Sequence, residues 1–407
     1  MLKLAPLLSK TFNLTTNSLI SKSETIEQLK AEKYDFMITE TFDYCGFGLA
    51  KLLGIKSTVA VFSSSLNDYT AWWTGTVSPW SVVHSKCLLR TSRSFSSRLW
   101  NLLCVAADFR VNHLFVSAAN RAFTEKFGPD FPSTQPVQSQ SSLVITAGDP
   151  LVDLPRPTQR KIIDIGSIGV RDAWPLETEY DEFLNICTRT VVFSFASMAP
   201  SAFSQAPFKR GLAEAFQGFP DVTFLLKYEQ PDDENSPLYG IEDVILKEWL
   251  TQNDLLGDPR VVALVSHGGK TSLNEVAAKG VPAVFIPLFG DQPRNAAIAV
   301  KLGFGVFLNK QDLDKAIIIE KAIRNVLYDK QYSTAAKNVS RMIRKRPFSA
   351  EDLLVGHIKF ADEFGNVKSL DHEGLNYPLY IYWNLDVILL LIIIVISPVI
   401  FTCYCLS

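Results

Sequence analysis

The residues best suited to chemistry lie between Val265 and Gln292, in VSHGGKTSLNEVAAKGVPAVFIPLFGDQ. An apolar run of strand type ends at Ser266, two glycines follow His267, and a helical pattern begins near Thr271. A strand that feeds a helix start in this way offers unpaired backbone N–H groups at the positive end of the helix dipole, which is an anion site. Gly268 and Gly269 let the main chain approach a diphosphate closely, and His267 can donate a hydrogen bond to it. On the glycines alone, a tight structural turn is an equal reading. The segment is not a triphosphate-binding P-loop, because GxxxxGK[ST] would need glycine where Leu264 stands.

Two further groups favour the anion site. Upstream, Trp249 can stack on a flat base and Gln252 can read its amide edges. Downstream, Asp291 and Gln292 are expected in a loop between strand and helix, with an acceptor and an amide suited to sugar hydroxyls. Glu275, one turn into the helix, can accept from a ribose diol. Aromatic platform, phosphate cradle and hydroxyl readers together describe a nucleotide-sugar site.

These residues need a scaffold that brings strand ends and helix starts together. The chain has 407 residues, enough for about two domains and extra pieces. Hydrophobic residues are 47% and charged residues 20%, which argues for a sizeable buried core and against disorder. After a Pro-rich connector at 150–175, strand patterns at Val191–Phe195, Val222–Lys227, Val261–Ser266 and Ala283–Ile286 alternate with helical patterns at Phe203–Phe216, Thr271–Lys279 and Asn295–Leu302. Such alternation implies α/β architecture with parallel sheets, and a ligand cleft at the carboxyl ends of the strands. Before the connector, Asp35–Thr39, Thr58–Ser63 and Ser142–Ala147 read as strands, with helices at Gly46–Leu53 and Leu99–Phe127. The expected division is 1–160, 161–345, linking helices over 346–385, and an apolar helix over 386–406.

Val387–Leu406 carries no charge and is about 30 Å long as a helix, the thickness of a bilayer's hydrocarbon core. Tyr377, Tyr380, Tyr382 and Trp383 precede it like an aromatic belt, so a transmembrane anchor contacting membrane lipid is expected. The N-terminal MLKLAPLLSKTFNLTTNSL is too interrupted by polar residues for a secretory signal. Forty basic against 42 acidic residues leave no field for nucleic acid, and the basic run Arg341, Arg344, Lys345, Arg346 reads as a solvated helix face or a membrane-surface contact. The six cysteines show no metal-ligand spacing, so no structural zinc site is expected. Asn13-Leu14-Thr15 and Asn338-Val339-Ser340 are glycosylation sequons, informative only for a lumenal chain.

Trp249–Gln252, His267-Gly268-Gly269, Ser272, Glu275, Pro282, Pro287, Asp291 and Gln292 together resemble the donor signature of the UDP-glycosyltransferases, membrane-bound glucuronosyltransferase type. The likeness extends to FSFASM at Phe193–Met198, the PRP-to-IGSIGV connector, RKRP at Arg344–Pro347 and the YIYWNLDV lead into the apolar helix. It implies a GT-B fold, two Rossmann-like domains with the donor mainly on the C-terminal one, no metal or cofactor, and transfer of glucuronate or glucose from a UDP-sugar co-substrate to small lipophilic acceptors with inversion. By the same resemblance Trp249 stacks uracil, Gln252 contacts uracil or ribose, and Glu275 holds the ribose. His267, Ser272 and Ser197 hold the diphosphate, and Asp291 and Gln292 bind the sugar. The chain departs at Thr271, where the family usually has Asn, and at Ala196, where it has Gly. An endoplasmic-reticulum membrane location with a lumenal body, and pairing with related transferases, are further implications.

Sugar transfer also needs a general base. In the family this is a His near the start of the N-terminal domain, helped by an Asp at the end of a later strand; Glu40 aligns with that Asp and can orient an imidazole. No histidine precedes Glu40, the first being His84, so relative to the family the chain is expected to lack its opening segment, signal peptide and first strands included. His84, His113, His357 and His372 read as surface or packed residues. Trp72, Trp73, Trp80 and Phe95 fall where an acceptor pocket would lie, and core packing explains them equally well. Two classes of function follow: an enzyme conjugating UDP-sugars, or a non-catalytic UDP-sugar-binding membrane protein that modulates full-length relatives.

Overall fold

A computed structural model describes residues 5–76, 94–134, 140–195 and 200–406. In the first half, short apolar runs form β1 (Phe36–Glu40), β2 (Ser57–Phe62), β3 (Leu143–Thr146) and β4 (Ile162–Asp164). They pair in parallel, in the order β1-β2-β3-β4. The helices are α1 (Ala5–Ile20), α2 (Ser23–Ala31), α3 (Cys45–Leu53), α4 (Asp68–Trp73) and α5 (Phe95–Phe127). Ala5 and Phe12 of α1 are buried against Phe115, Val116 and Ala119 of α5, so the N-terminal stretch is a core helix. Its sequon residue Asn13 donates Nδ2 to Ala118 O at 3.1 Å.

The second half begins with α6 (Thr178–Leu184) and contains β5 (Arg189–Ser194), α7 (Ala206–Phe216), β6 (Val222–Lys227), β7 (Val244–Lys247), α8 (Gln252–Leu255) and β8 (Val261–Ser266). It continues through α9 (Lys270–Lys279), β9 (Ala283–Phe285), α10 (Gln292–Lys301), β10 (Gly305–Phe307), α11 (Ala316–Tyr328) and α12 (Lys330–Arg344). Its parallel sheet runs β10-β9-β8-β5-β6-β7. Strand order therefore reverses between β5 and β8, where Ser194 pairs with Ser266, and the crevice beyond those two strand ends is the topological switch point. One face buries Val191, Phe193, Phe224 and Val265 with α7 and α11; the other buries Val192, Leu225, Leu264 and Phe285 with α9, α10 and α12. Continuous apolar strands are what burial on both faces requires.

Three element boundaries differ from expectation for local reasons. The predicted helix from Phe203 is a 3₁₀ turn at Ser201–Phe203 followed by α7, because Pro207 suits a first helical turn and no earlier position. The connector contains β4, which joins the first sheet and places residues 162–164 with the first half rather than with 161–345. Gln292 opens α10 with Asp291 at its N-cap, so the pair does not sit in a loop.

Beyond α12 come α13 (Ala350–Phe364), α14 (Leu379–Tyr382) and α15 (Leu385–Leu406). The Ser349 side chain caps α13 by accepting from Asp352 N at 2.9 Å. From there α13 returns to the first sheet, burying Ala361 with Val59, Leu143 and Ile145, and Ser57 Oγ donates to Ala361 O at 3.3 Å. The apolar residues Leu385–Ile396 of α15 are exposed. Among the described residues one helix, α5, has membrane-crossing length and composition, with half of its apolar window buried inside the protein, and Leu385–Pro398 of α15 is a shorter apolar helix.

Candidate active site

Strand β8 ends at Ser266, and the chain turns through His267 and Gly268 into α9. Gly268 adopts φ +86, a left-handed conformation that favours glycine, and a Cβ there would stand 3.4 Å from Gln292 O. Gly268 N donates to Ser266 Oγ at 3.3 Å, and Ser266 Oγ lies 3.3 Å from His267 Nδ1. Gly269 is the N-cap of α9 and supplies no side-chain acceptor, so the first N–H groups of that helix keep their free, anion-attracting character. His267 is buried against Phe195. Burial pushes its imidazole below the usual range, with Asp291 pulling the other way, so the ring is a neutral donor near pH 7.

The start of α10 is tied to this turn. Asn295 Nδ2 donates to Gly268 O and to Asp291 Oδ2, both at 2.9 Å. Gln292 Oε1 accepts from Leu288 N at 2.8 Å and Phe289 N at 2.9 Å, so its carbonyl shapes its own turn and only its NH₂ is left for a ligand. Asp291 is partly exposed beside it.

Across the switch point, Gln252 Nε2 donates to Ser272 Oγ at 3.3 Å and to Glu275 Oε2. Gln252, Ser272 and Glu275, read separately from the sequence, are thus one bonded cluster joining α8 to α9. Burial raises the Glu275 carboxyl above its ordinary value, opposed by the Gln252 bond and by Lys279. Trp249 is 64% exposed, an open aromatic face at the end of the loop after β7, while its carbonyl accepts from Tyr180 OH at 3.0 Å. Thr271 is exposed, and Ser197 lies outside the described residues.

Several residues here gave no sequence signal. Lys227, at the end of β6, places Nζ 5.8 Å from the Trp249 ring centroid and 2.5 Å from Glu229 Oε1. Asp254 of α8 accepts a two-pronged bond from Arg171 at 2.6 and 2.8 Å, which fastens the connector under the Trp249–Gln252 end. That bond holds its carboxyl below the usual range. Charged residues beside a strand end or a short helix are common in any sequence, and only the sheet order shows which of them converge.

On the opposite side, Glu40 ends β1. Its Oε1 accepts from Thr41 N at 2.9 Å and its Oε2 from Ser63 N at 3.2 Å; among the described residues none of its bonds is to a histidine. Burial raises its carboxyl above the ordinary value while those bonds act against the rise. His113 is exposed, His357 contacts Leu353 O at 2.6 Å, and His372 caps a 3₁₀ turn; His84 and Trp80 lie outside the described residues. Trp72 and Trp73 pack edge-on against Phe109 and Tyr69, and Phe95 is exposed at the start of α5. In the basic run, Arg346 is not a solvated residue, since Nη2 donates to Asp149 Oδ2 at 2.8 Å.

Two parallel α/β halves with a phosphate-type cradle at the switch point of the second define the GT-B glycosyltransferase architecture. A crystal structure of the kitacinnamycin glycotransferase superposes with a TM-score of 0.57 at 15% identity, covering 82% of this chain and 79% of that one. The spinosyn forosaminyltransferase SpnP does so with a TM-score of 0.55 at 16% identity, covering 83% and 78%. The model of the UDP-glucoronosyl and UDP-glucosyl transferase family matches residues 2–407, and the chain belongs to that family. It is 31% identical to UDP-glucuronosyltransferase 1A7 of Rattus norvegicus over 94% of this chain and 71% of the relative. The same holds for UDP-glucuronosyltransferase 3A1 of Bos taurus, at 31% over 92% and 71%. The protein is accordingly a glycosyltransferase that takes its sugar from a UDP-sugar.

Proposed function

We propose that the protein transfers glucuronate or glucose from its UDP-sugar to a hydroxyl of small lipophilic acceptors, inverting the anomeric carbon and using no metal or cofactor. The observation that carries this reading is the bonded cluster of Gln252, Ser272 and Glu275 between the open face of Trp249 and the His267–Gly269 turn. Uracil stacks on Trp249, the ribose diol donates to Glu275, and the diphosphate lies over the start of α9 beside neutral His267. Asp291 and the Gln292 NH₂ meet the sugar. The acceptor oxygen attacks the anomeric carbon as the bond to the UDP oxygen breaks, and the developing charge on UDP is met by the α9 N–H groups. The proton of the acceptor hydroxyl passes to the Glu40 carboxylate at the end of β1, the catalytic group on the acceptor side.

The exposed apolar length of α15 supports a single-pass anchor, and the resemblance to membrane-bound glucuronosyltransferases supports a lumenal body at the endoplasmic reticulum. The test is a transfer assay with UDP-glucose and UDP-glucuronate side by side, using a panel of phenols and the chain in detergent. Product with inverted configuration is expected from at least one donor. UDP binding without product from either donor would refute the transfer reading.

A further inference from the structure

Between β3 and the connector, residues 147–156 form a strap that touches both halves. Arg156 fastens it to the first half, donating Nη1 to Leu66 O at 2.7 Å and Nη2 to Asp68 Oδ1 at 3.3 Å. The rest of the strap engages the second half. Ala147 O accepts from Asn274 Nδ2 at 3.1 Å, Val152 O from Lys270 Nζ at 3.3 Å, and Asp153 Oδ1 pairs with Arg294 Nη2.

Lys270 and Arg294 belong to the first turns of α9 and α10, the two helix starts that shape the donor cradle. Both side chains are buried, Arg294 to 1% exposure, and Arg294 Nε and Nη1 have no hydrogen-bond partner among the described residues. Asp153 acts on both cations, and Asp149 and Asp291 act on Lys270 as well. Burial pushes the Asp153 carboxyl up, and the Arg294 and Lys270 charges more than offset this, holding it below the usual range. Asp149 is already engaged by Arg346.

We propose that Asp153 is a positioning residue for sugar transfer, clamping the first turns of α9 and α10 to the strap and so setting the donor cradle against the acceptor-side half. The proposal rests on the UDP-sugar reading of that cradle. Burial already disfavours the Lys270 charge, and without Asp153 only Asp149 and Asp291 are left to support it beside Arg294, an arrangement that a low-dielectric seam tolerates poorly. The helix starts then shift together, and reaction geometry is sensitive to displacements of about 1 Å. On that reading of the cradle UDP contacts mainly the second half, so its affinity depends little on the clamp.

The test uses the full chain in detergent, comparing wild type with Asp153→Asn, Asp153→Glu, Lys270→Met and the Asp153→Asn/Lys270→Met pair. UDP affinity is read by calorimetry, kcat and KM with a phenol acceptor, and the radius of gyration by small-angle scattering. Asp153→Asn is expected to lower kcat about tenfold or more while UDP affinity stays within about threefold and the radius grows. Asp153→Glu recovers part of the lost rate, and so does the double variant, because removing one cation relieves the repulsion. If Asp153→Asn does not fold, a rate for Asp153→Glu below wild type at unchanged UDP affinity upholds the clamp, and an unchanged rate overturns it. Wild-type kcat in Asp153→Asn, or a parallel loss of kcat and UDP affinity at unchanged radius, also overturns it. Should wild type bind no UDP, the donor reading fails, and the radius comparison alone decides the clamp: growth upholds it, no change overturns it.

Discussion

Trp249 and Glu275 carry opposite kinds of cost. Trp249 leaves an apolar ring in water, and Glu275 takes a carboxyl out of it. If the ring is a platform for uracil, Trp249→Ala should weaken UDP binding roughly tenfold, the scale of one base–aromatic stack, with little change in melting temperature. Calorimetry with UDP checks this. For Glu275 the sign follows from its raised pKa. The folded chain holds that proton more tightly than the unfolded chain, so the stability its neutral form contributes is present at low pH and is lost as pH rises through the folded value. Glu275→Gln should therefore melt above wild type at neutral pH, with the gap closing toward the ordinary glutamate value of about 4.3. The same variant should bind UDP roughly tenfold more weakly, because the charged acceptor for the ribose is gone. Scanning fluorimetry across pH, paired with calorimetry, reads both effects. The sequence exposes Trp249, His267 and Glu275 because an indole, an imidazole beside glycines and a carboxylate in a helix each suggest chemistry by type. It does not expose Lys227 or Asp153, whose roles depend on neighbours that are distant along the chain.

At the level of elements, the strand–turn–helix from β8 to α9 is legible from apolar period and glycine spacing, and its bounds match closely because the capping is local: Gly268 in the left-handed region, and Gly280 ending the helix at φ +77. The start of α10 is less legible. Asp291 and Gln292 look like loop residues, yet Gln292 uses its side chain to bond its own turn and begin the helix. Gly269 separates two roles of the turn. Its φ of −59 suits any residue, but a Cβ there would stand 2.8 Å from His267 Nε2. Gly269→Ala should leave the melting temperature within about 2 °C of wild type. It should still lower UDP affinity, by about threefold to tenfold, because the imidazole must leave its place. A loss of stability that parallels the loss of affinity would assign the glycine to folding alone.

Taken whole, the molecule shows the two-half α/β plan its alternating patterns imply, since parallel strands buried on both faces leave a strong apolar signature. What the sequence conceals is long-range. The return of α13 to the first sheet, the membership of β4, and the strap between the halves all depend on partners far away along the chain. The apolar character of α15 is legible by composition. At this scale the proposed function requires the second half to grip a base, a ribose and a diphosphate at one switch point. Its most direct test is calorimetric titration of the full chain with UDP and, separately, with uridine. One UDP site per chain is expected, with uridine bound about tenfold or more weakly because the α9 cradle stays empty. Absence of UDP binding, or equal affinity for UDP and uridine, would contradict it.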